Sequence, residues 1–337
     1  MESIAILGAG SWGTALAIHL ARVGHDVRLW ARDPELVEQM TARRMNPRYL
    51  ADVRLPDRVT PHARHHAALE GVTVAVFAVP SHGLRAVARA VQPAIPRGAI
   101  VVSATKGLES DSQLRMSLVL EQEGEEGGHS RRPVVVLSGP SFAAEVARGL
   151  PTAVLAASRH AHAAAYVQER FRGPAFRLYV SDDVAGVEIG GAMKNVIAIA
   201  AGVVEGLGLG HNAMAALITR GLAEISRLAD AEGGRRETLA GLSGLGDLVL
   251  TSTGDLSRNR HVGLELGRGR PLEDILQGMR MIAEGVRTTG AALALGARHG
   301  IELPITAEMA AVLDGLRSPA EAVDALMGRK QRAEADR

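Results

Sequence analysis

The stretch that decides the fold lies at the start of the chain and reads IAILGAGSWG, residues 4–13. Ile4–Leu7 has the length and composition of a buried strand, and glycines follow at 8, 10 and 13. A G-x-G-x-x-G sequence between a strand and a helix is the fingerprint of a dinucleotide-binding turn. Gly8 would make the tight turn, Gly10 would let the backbone approach a pyrophosphate, and Gly13 would let helix pack on strand. The sequence therefore predicts a nucleotide cofactor at the start of this helix.

Further along, short apolar runs alternate with helix-like stretches, which predicts βαβ units and a mostly parallel sheet. The strand candidates are Ile4–Leu7, Asp26–Trp30, Thr73–Val79, Ala99–Ala104, Val134–Leu137, Thr152–Ala156 and, more weakly, Phe176–Val180. The helix candidates between them are Gly13–Val23, Glu35–Arg44, His82–Val91, Gln113–Gln122, Phe142–Ala147 and Ala161–Phe171. The Gly-, Glu- and Arg-rich stretch 123–133 is predicted to be a solvated loop.

From about residue 183 only helical spacing recurs, which predicts a second, all-helical domain. The fold class is therefore α/β, a Rossmann-type sheet with helices on both faces, followed by an all-α domain. We expect residues 1–182 to bind the dinucleotide and residues 183–337 to bind the substrate.

Composition excludes several classes of function. The 337 residues carry a formal net charge of +1 and only 3% aromatics, which argues against a nucleic-acid partner. Without cysteine the chain has no disulfide, cysteine nucleophile or Cys-ligated zinc. The N-terminus does not read as a signal peptide, and the longest uncharged apolar run, residues 196–204, is too short to cross a membrane. We expect a cytoplasmic protein.

Lysine is rare in this chain: only Lys106, Lys194 and Lys330 occur among 38 basic residues. Arginine cannot give up its proton, so a lysine in such a chain is a candidate for proton transfer; chance survival of three lysines is the alternative. Lys330 lies in a charged tail and needs no such reason. Lys106 follows a strand and should point to the ligand side of the sheet, although an exposed loop lysine would look the same. Lys194 lies near small residues on a helix, where partial burial would suit a general base; a lysine at the rim of the helix is the alternative.

The end of the second strand bears on cofactor choice. Asp33 precedes Pro34 and so has a structural explanation as a helix N-cap. Arg32 is then the better candidate for cofactor contact, and an arginine here accommodates a 2′-phosphate. The sequence favours NADP over NAD.

Other polar segments are candidate ligand sites, each with a structural alternative. Ser141 follows a strand and could serve only as an N-cap. Arg258 and Asn259 offer a guanidinium and an amide suited to a phosphate, and Asp247 could orient an ammonium group. Gly-rich turns and a solvated arginine cluster are the alternatives.

The histidines are not expected to bind a metal. His62, His65 and His66 could share one helix face, but no carboxylate stands near them in sequence. A solvated helix is the favoured interpretation, and no metal site is predicted.

Taken together, these motifs resemble the bacterial-type glycerol-3-phosphate dehydrogenases that use NAD or NADP. The matching segments, in order over nearly the whole chain, are Gly8–Gly13, Lys106–Glu109, Ser138–Ser141, Gly186–Asn195, Gly244–Asp247, Ser257–Arg260 and Ala283–Thr288. The resemblance implies reversible hydride transfer between sn-glycerol 3-phosphate and dihydroxyacetone phosphate, which supplies the phospholipid backbone. The resemblance does not fix the oligomeric state, and a homodimer is compatible with it.

The resemblance also implies roles for individual residues. Lys194 matches the family's proton acceptor, Lys106 a lysine that touches substrate and cofactor, and Asp247 would hold Lys194. The implied substrate-site positions are Lys106, Gly139, Ser141, Lys194, Asp247, Ser257, Arg258 and Asn259, with Asn195 and Thr251 in second rank. The implied cofactor-site positions are Gly8, Gly10, Ser11, Trp12, Gly13, Arg32, Lys106, Ala143, Arg258, Ile282 and Glu284.

Two other functions stay open. A β-hydroxyacid dehydrogenase of the same architecture usually carries Asn four residues after its lysine, whereas this chain has Ala198 there. The Ser257–Arg260 segment also favours a phosphorylated substrate. A non-catalytic NADP-binding regulator is the second alternative, and the two lysines retained in an arginine-rich chain argue against it.

Overall fold

A computed structural model describes residues 1–127, 132–279, 283–331 and 333. The strands in the described residues are β1 (Ser3–Leu7), β2 (Asp26–Trp30), β3 (Met45–Asn46), β4 (Leu50–Arg54), β5 (Val59–His62), β6 (Val74–Phe77), β7 (Ile100–Ser103), β8 (Val134–Ser138), β9 (Thr152–Ala157) and β10 (Phe176–Ser181). The helices are α1 (Ser11–Arg22), α2 (Pro34–Arg43), α3 (His65–Leu69), α4 (Ser81–Val91), α5 (Met116–Glu126), α6 (Ala143–Arg148), α7 (Ala161–Phe171), α8 (Val184–Gly206), α9 (Gly210–Ala231), α10 (Arg236–Leu239), α11 (Asp247–Thr253), α12 (Arg258–Gly267), α13 (Leu272–Gln277), α14 (Glu284–Arg298), α15 (Pro304–Leu313) and α16 (Pro319–Met327). A 3₁₀ turn covers Gln92–Ala94, and a π-helical turn covers Leu242–Gly246.

The chain divides into two compact units. The first contains residues 1–106 and 116–184, and the second contains residues 107–115 and 185–337. The short stretch 107–115 thus clusters with the helical unit and apart from its neighbours in sequence.

An eight-stranded sheet forms the centre of the first unit, in the order β10-β9-β8-β7-β6-β1-β2-β5. All neighbouring strands are parallel except β8 and β9, which are antiparallel. Side chains on both faces of β1 are buried, including Ile4 and Leu7, as expected of a sheet covered by helices on both sides. The predicted α/β class is confirmed.

One edge of this sheet differs from the sequence prediction. The predicted strands all occur, but β5, which pairs with β2, was not predicted. Strands β3 and β4 form a separate antiparallel ribbon that was also missed. His62 ends β5, whereas His65 and His66 begin α3, so the prediction that the three share a helix face is wrong.

The loop predicted at 123–133 is also partly wrong. Helix α5 continues to Glu126, and Glu123 is buried and paired with Arg85 and Arg89 at 2.8 and 2.9 Å. Residues 128–131 of that stretch lie outside the described residues.

The described part of the second unit contains helices and no strand, and α8 is at its centre. Glycines let neighbouring helices approach α8 closely. A Cβ on Gly202 would lie 2.0 Å from the Arg260 carbonyl oxygen of α12, and one on Gly263 would lie 1.8 Å from the Ile199 carbonyl oxygen of α8. Only glycine permits this backbone-to-backbone packing.

Helix α8 is also long and apolar enough to span a membrane by composition, the one such helix in the described ranges. Its apolar window is 100% buried within the protein. A helix covered on all sides in this way is the core helix of a folded domain.

Candidate active site

The glycine turn has the geometry that the fingerprint predicts. Gly8 has φ +120°, and a Cβ there would lie 2.5 Å from the Ala78 carbonyl oxygen. A Cβ on Gly13 would lie 1.9 Å from the Gly8 carbonyl oxygen, so the helix packs directly on the turn. Around Gly10, by contrast, no described atom lies within 4 Å of where a Cβ would be. The open space lies at the residue expected to face a pyrophosphate.

The start of α1 also fits an anionic group. Gly10 is its N-cap and offers no side-chain hydrogen bond, and the first turn carries no acidic residue. The first N–H groups of a helix have no partner within it, and they attract negative charge. The indole Nε1 of Trp12 is buried with no hydrogen-bond partner among the described residues. The residues present fit a dinucleotide phosphate.

Sequence reasoning missed the groups that hold this turn in place. Asn46 is buried, and its Nδ2 donates to the Ala9 carbonyl oxygen and to Thr14 Oγ1, both at 2.8 Å. Ser11 Oγ donates to the Tyr49 carbonyl oxygen at 3.0 Å. The ribbon of β3 and β4 therefore braces the turn from 32 or more positions away in sequence. Nothing in its own pattern signals this.

Two residues after β2, Arg32 and Asp33, are candidates for cofactor contact, and their surroundings differ. Asp33 is the N-cap of α2 and accepts from Glu35 N at 3.0 Å, as predicted. It also pairs with Arg48 at 2.8 Å, and that hydrogen bond lowers the pKa of the Asp33 carboxyl. Arg32 is exposed. The carboxylate is thus engaged while a guanidinium stands open to solvent beside it.

Lys106, Gly139 and Ser141 come together in the first unit. Lys106 Nζ and Ser141 Oγ each donate to the Gly139 carbonyl oxygen at 2.9 Å. Gly139 has φ +127° and its Cβ would lie 3.1 Å from the Val154 Cα, so only glycine suits this position. Ser141 does not cap α6, because Phe142 is the N-cap and Ala143 the first helical residue. The structural alternative for Ser141 is therefore wrong.

A buried lysine–carboxylate pair lies in the second unit. Lys194 Nζ on α8 donates to Asp247 Oδ1 at 2.5 Å and to Thr251 Oγ1 at 2.8 Å. Asp247 has no exposed surface, and Lys194 is 7% exposed. Thr251 Oγ1 in turn donates to the Asp247 carbonyl oxygen at 2.7 Å. Lys194 is therefore not a rim lysine but an oriented ammonium.

Local backbone explains why the two side chains meet. The π-helical turn Leu242–Gly246 packs on α8, where a Cβ on Gly190 would lie 2.7 Å from the Ser243 carbonyl oxygen. Lys194 follows Gly190 by four residues, and Asp247 follows Ser243 by four. Positions four apart share a helix face. The close contact between Gly190 and Ser243 therefore brings Lys194 and Asp247 together one turn further along.

Asn259 joins three helices beside this pair. Its Nδ2 donates to Asn195 Oδ1 at 3.0 Å, and its Oδ1 accepts from Gly285 N at 2.9 Å. The Gly285 N–H must meet an acceptor, which fixes the orientation of the amide. Within the described part of the chain, the second N–H of the Asn259 amide meets no acceptor and is available to a ligand.

The start of α12 carries the other two predicted positions. Ser257 is the N-cap, and its Oγ accepts from Arg260 N at 3.2 Å. Desolvation lowers the pKa of the Arg258 guanidinium below its ordinary value, and the nearby Glu284 carboxylate offsets part of this shift. Ser257 thus has a structural task, and Arg258 offers its guanidinium beside a carboxylate. Ile282 lies outside the described residues.

The predicted site residues divide between the two units. The first contains the glycine turn, Arg32, Lys106, Gly139 and Ser141, and the second contains Lys194, Asp247, Thr251, Asn195, Asn259, Arg258 and Glu284. In the parts of the chain described here, no set of three or more His, Asp or Glu is arranged to hold a metal ion.

A dinucleotide-type turn on a parallel sheet, followed by a helical unit with a buried lysine, defines the class of two-domain dinucleotide-dependent dehydrogenases. Two family profiles match: the NAD-dependent glycerol-3-phosphate dehydrogenase N-terminus over residues 3–164, and its C-terminus over residues 183–324. The chain belongs to the NAD-dependent glycerol-3-phosphate dehydrogenase family.

Individual relatives agree with the family assignment. The chain is 52% identical to the "Glycerol-3-phosphate dehydrogenase [NAD(P)+]" of Koribacter versatilis, with 99% of each chain covered. It is 50% identical to the protein of that name from Moorella thermoacetica, with 99% of this chain and 98% of the relative covered. The crystal structure of glycerol-3-phosphate dehydrogenase from Coxiella burnetii superimposes with a TM-score of 0.93 at 44% identity, covering 97% of this chain and 99% of that one.

Proposed function

We propose that the protein catalyses reversible hydride transfer between dihydroxyacetone phosphate and sn-glycerol 3-phosphate with NADPH or NADH. The observation that carries this proposal is the buried Lys194 ammonium, held by Asp247 Oδ1 at 2.5 Å and Thr251 Oγ1 at 2.8 Å. The relatives' printed activity supports the choice of substrate.

Lys194 acts as the proton donor in the direction of reduction. When the ketone carbon receives a hydride, its oxygen becomes an alkoxide and needs one proton. A carboxylate beside an ammonium stabilises its charge and fixes its orientation, and Asp247 is such a neighbour for Lys194. The N–H bond breaks, an O–H bond forms, and the lysine is left neutral. In oxidation the same nitrogen takes the proton back.

Lys106 stabilises the developing oxyanion on the same substrate. Its ammonium is half-buried and fixed by the Gly139 carbonyl oxygen, so it needs little reorganisation when charge appears. Arg258 and the remaining N–H of Asn259 bind the substrate phosphate, with Ser141 and the Gly139 backbone as further contacts. Binding energy at the phosphate then orients the reacting carbon.

The dinucleotide is held by the turn from Gly8 to Gly13, with Ser11 and Trp12 at the helix start. Ala143, Arg258 and Glu284 complete the set of cofactor residues. The bound nicotinamide supplies or accepts the hydride. Arg32 favours NADP, since an exposed guanidinium can pair with a 2′-phosphate while Asp33 is committed to its helix cap and to Arg48.

The wider context follows from the proposed activity. Residues 1–182 are the dinucleotide domain and residues 183–337 the substrate domain, with Lys106, Gly139 and Ser141 also contacting the substrate and Arg258 and Glu284 also contacting the cofactor. The product serves as the glycerol backbone of phospholipids, and the enzyme acts in the cytoplasm.

Loss of NADPH absorbance with dihydroxyacetone phosphate tests the activity directly. The same trace is recorded with NADH, and dihydroxyacetone serves as the control ketone without a phosphate. We expect turnover with the phosphorylated ketone and a much slower rate with the control. A flat trace with both cofactors contradicts the proposal, and equal rates with the two ketones contradict the phosphate site.

A further inference from the structure

The stretch that follows Lys106 is a compact hairpin docked on the helical unit. Leu108 and Arg115 form an antiparallel bridge, and Glu109 N donates to the Leu114 carbonyl oxygen at 3.0 Å. Directly after the turn at residues 110–112, Gln113 takes a positive φ of 58°. Leu108 is 1% exposed and belongs to the hydrophobic core of the second unit. The hairpin is therefore part of that unit's packing and not a loose loop.

Arg115 fixes the far end of the hairpin by a buried ionic network. Its side chain is 5% exposed, and its Nη1 lies 2.8 Å from Glu188 Oε2 on α8. Nε lies 3.3 Å from Glu232 Oε2, and the other oxygen of Glu232 lies 2.8 Å from His299 Nε2. The residues involved are 73 and 117 positions away from Arg115 in sequence. The Arg115 guanidinium thus connects the hairpin to α8 through Glu188 and to the end of α9 through Glu232, and Glu232 extends the network to His299 after α14.

Arg298 provides a second attachment from the surface. Its Nη2 donates to the Ser112 carbonyl oxygen at 3.2 Å and to Gln113 Oε1. Unlike Arg115, Arg298 is exposed, so its removal should cost little stability.

A buried ion pair is a poor device for stability alone. Replacing such a pair by apolar residues of similar size is often neutral or stabilising, whereas removing one partner is costly. What the pair does provide is direction, because a planar guanidinium fixes the angle as well as the distance to its carboxylate. The network therefore fixes the place of the hairpin more than it stabilises the fold.

We propose that Arg115 is a positioning residue for the reaction: it holds the hairpin that begins one peptide bond after Lys106, and so restricts where the Lys106 ammonium can lie. Glu188, its partner, is six residues before Lys194 on the same helix. The attachment thereby links the main chain at Lys106 to the helix that carries the proton donor. The proposal deepens the function proposed above and rests on it.

The test replaces the Arg115–Glu188 pair with apolar residues, Arg115→Met with Glu188→Leu, which leaves Glu232 its contact with His299. With the reacting geometry loosened, we expect kcat for dihydroxyacetone phosphate to fall by about tenfold or more. The KM for NADPH and the urea midpoint should stay close to the parent values. The matched control is Arg317→Met with Glu308→Leu, which removes an ion pair of 2.6 Å from α15 and should leave kcat unchanged.

A double-mutant cycle with Lys106→Met separates positioning from a general structural effect. If Arg115 acts through Lys106, the pair replacement lowers kcat in the parent and has no further effect in the Lys106→Met background. Because the Lys106→Met variants are slow, their rates are measured in single-turnover experiments with enzyme in excess over substrate. An equal loss in both backgrounds, or no loss in the parent, overturns the proposal.

Two further arms keep the outcome unambiguous. If the pair replacement shifts the urea midpoint strongly, Arg298→Met takes its place in the double-mutant cycle. We then expect a smaller loss of kcat in the parent and no further loss in the Lys106→Met background. An unmodified enzyme that does not turn over dihydroxyacetone phosphate refutes the proposed function itself. If the unmodified enzyme turns over normally and the losses of kcat from the pair replacement and from Lys106→Met simply add, only the role of Arg115 is refuted.

Discussion

The buried pair of Lys194 and Asp247 allows stability and catalysis to be measured apart. Three variants are compared: Lys194→Met, Asp247→Leu, and the two substitutions combined. The side chains are 9% and 0% exposed, and the Nζ and Oδ1 atoms are 2.5 Å apart. Each single variant leaves one charge in a site that water scarcely reaches.

The expected magnitudes follow from this burial. Removing one partner of a buried pair costs about 3–5 kcal/mol, because the remaining charge stays desolvated. Thr251 still contacts either remaining group and should hold the cost near the lower value. In the double variant no charge remains, so the free energy of unfolding should return to within about 1 kcal/mol of the parent. Catalysis should not return, since general acid–base groups contribute roughly 10²–10⁴-fold to rate.

Urea unfolding followed by circular dichroism measures stability, and NADPH absorbance with dihydroxyacetone phosphate measures turnover. The expected pattern is a double variant as stable as the parent with kcat at least about 100-fold lower. Recovery of turnover along with stability would show that the pair serves only the fold. Single variants that lose less than about 1 kcal/mol would show that solvent reaches the pair, against the burial on which the reasoning depends.

Three more predictions test the packing, the electrostatics and the cofactor preference. Gly263→Ala should lower the free energy of unfolding by about 1–3 kcal/mol or more, since its Cβ would lie 1.8 Å from the Ile199 carbonyl oxygen; Gly290→Ala, where no described atom lies within 4 Å, should instead raise it by about 0.5–1 kcal/mol in the same urea experiment. Burial raises the pKa of Glu224 above its ordinary 4.5, so the native state holds this proton more tightly. The resulting stability is fully present below the ordinary pKa and is lost as pH rises through the raised one; urea midpoints from pH 4 to 8 should show this fall, and Glu224→Gln should remove it. Arg32→Asp should raise the KM for NADPH about 10–100-fold with little change for NADH, and an unchanged KM for NADPH would rule out the contact.

The sheet could be predicted where its strands are buried on both faces. Continuous apolar runs such as Ile4–Leu7 give an unambiguous signal because helices cover both sides. Strand β5, VTPH, gives no such signal, since Pro61 cannot donate to a ladder and reads as a break. It is tolerated because β5 is the last strand at the edge of the sheet. At the edge of the sheet, therefore, the sequence pattern does not predict the strand that the structure contains.

The candidate site was predictable as a set of residues but not as an arrangement. Motif resemblance pointed to Lys194 and Asp247, yet nothing in the spacing of residues 53 apart requires them to touch. Asn46 illustrates the same limit from the other side: it braces the glycine turn and belongs to no recognisable motif. Contacts over long sequence separations depend on how whole elements pack, which local periodicity does not encode.

Helix α8 shows how packing and chemistry are connected in this protein. Gly190 brings the π-helical turn against the helix, and Gly202 does the same for α12. With the backbones this close, nearby side chains on the same helices are brought together: Lys194, four residues after Gly190, meets Asp247, and Asn195, seven residues before Gly202, meets Asn259. The desolvation of a lysine and an aspartate opposes folding, and the close helix contacts around the glycines offset it. The small residues of the Gly-Gly-Ala-Met-Lys-Asn segment are thus needed for the position of the ammonium, not only for the density of the core.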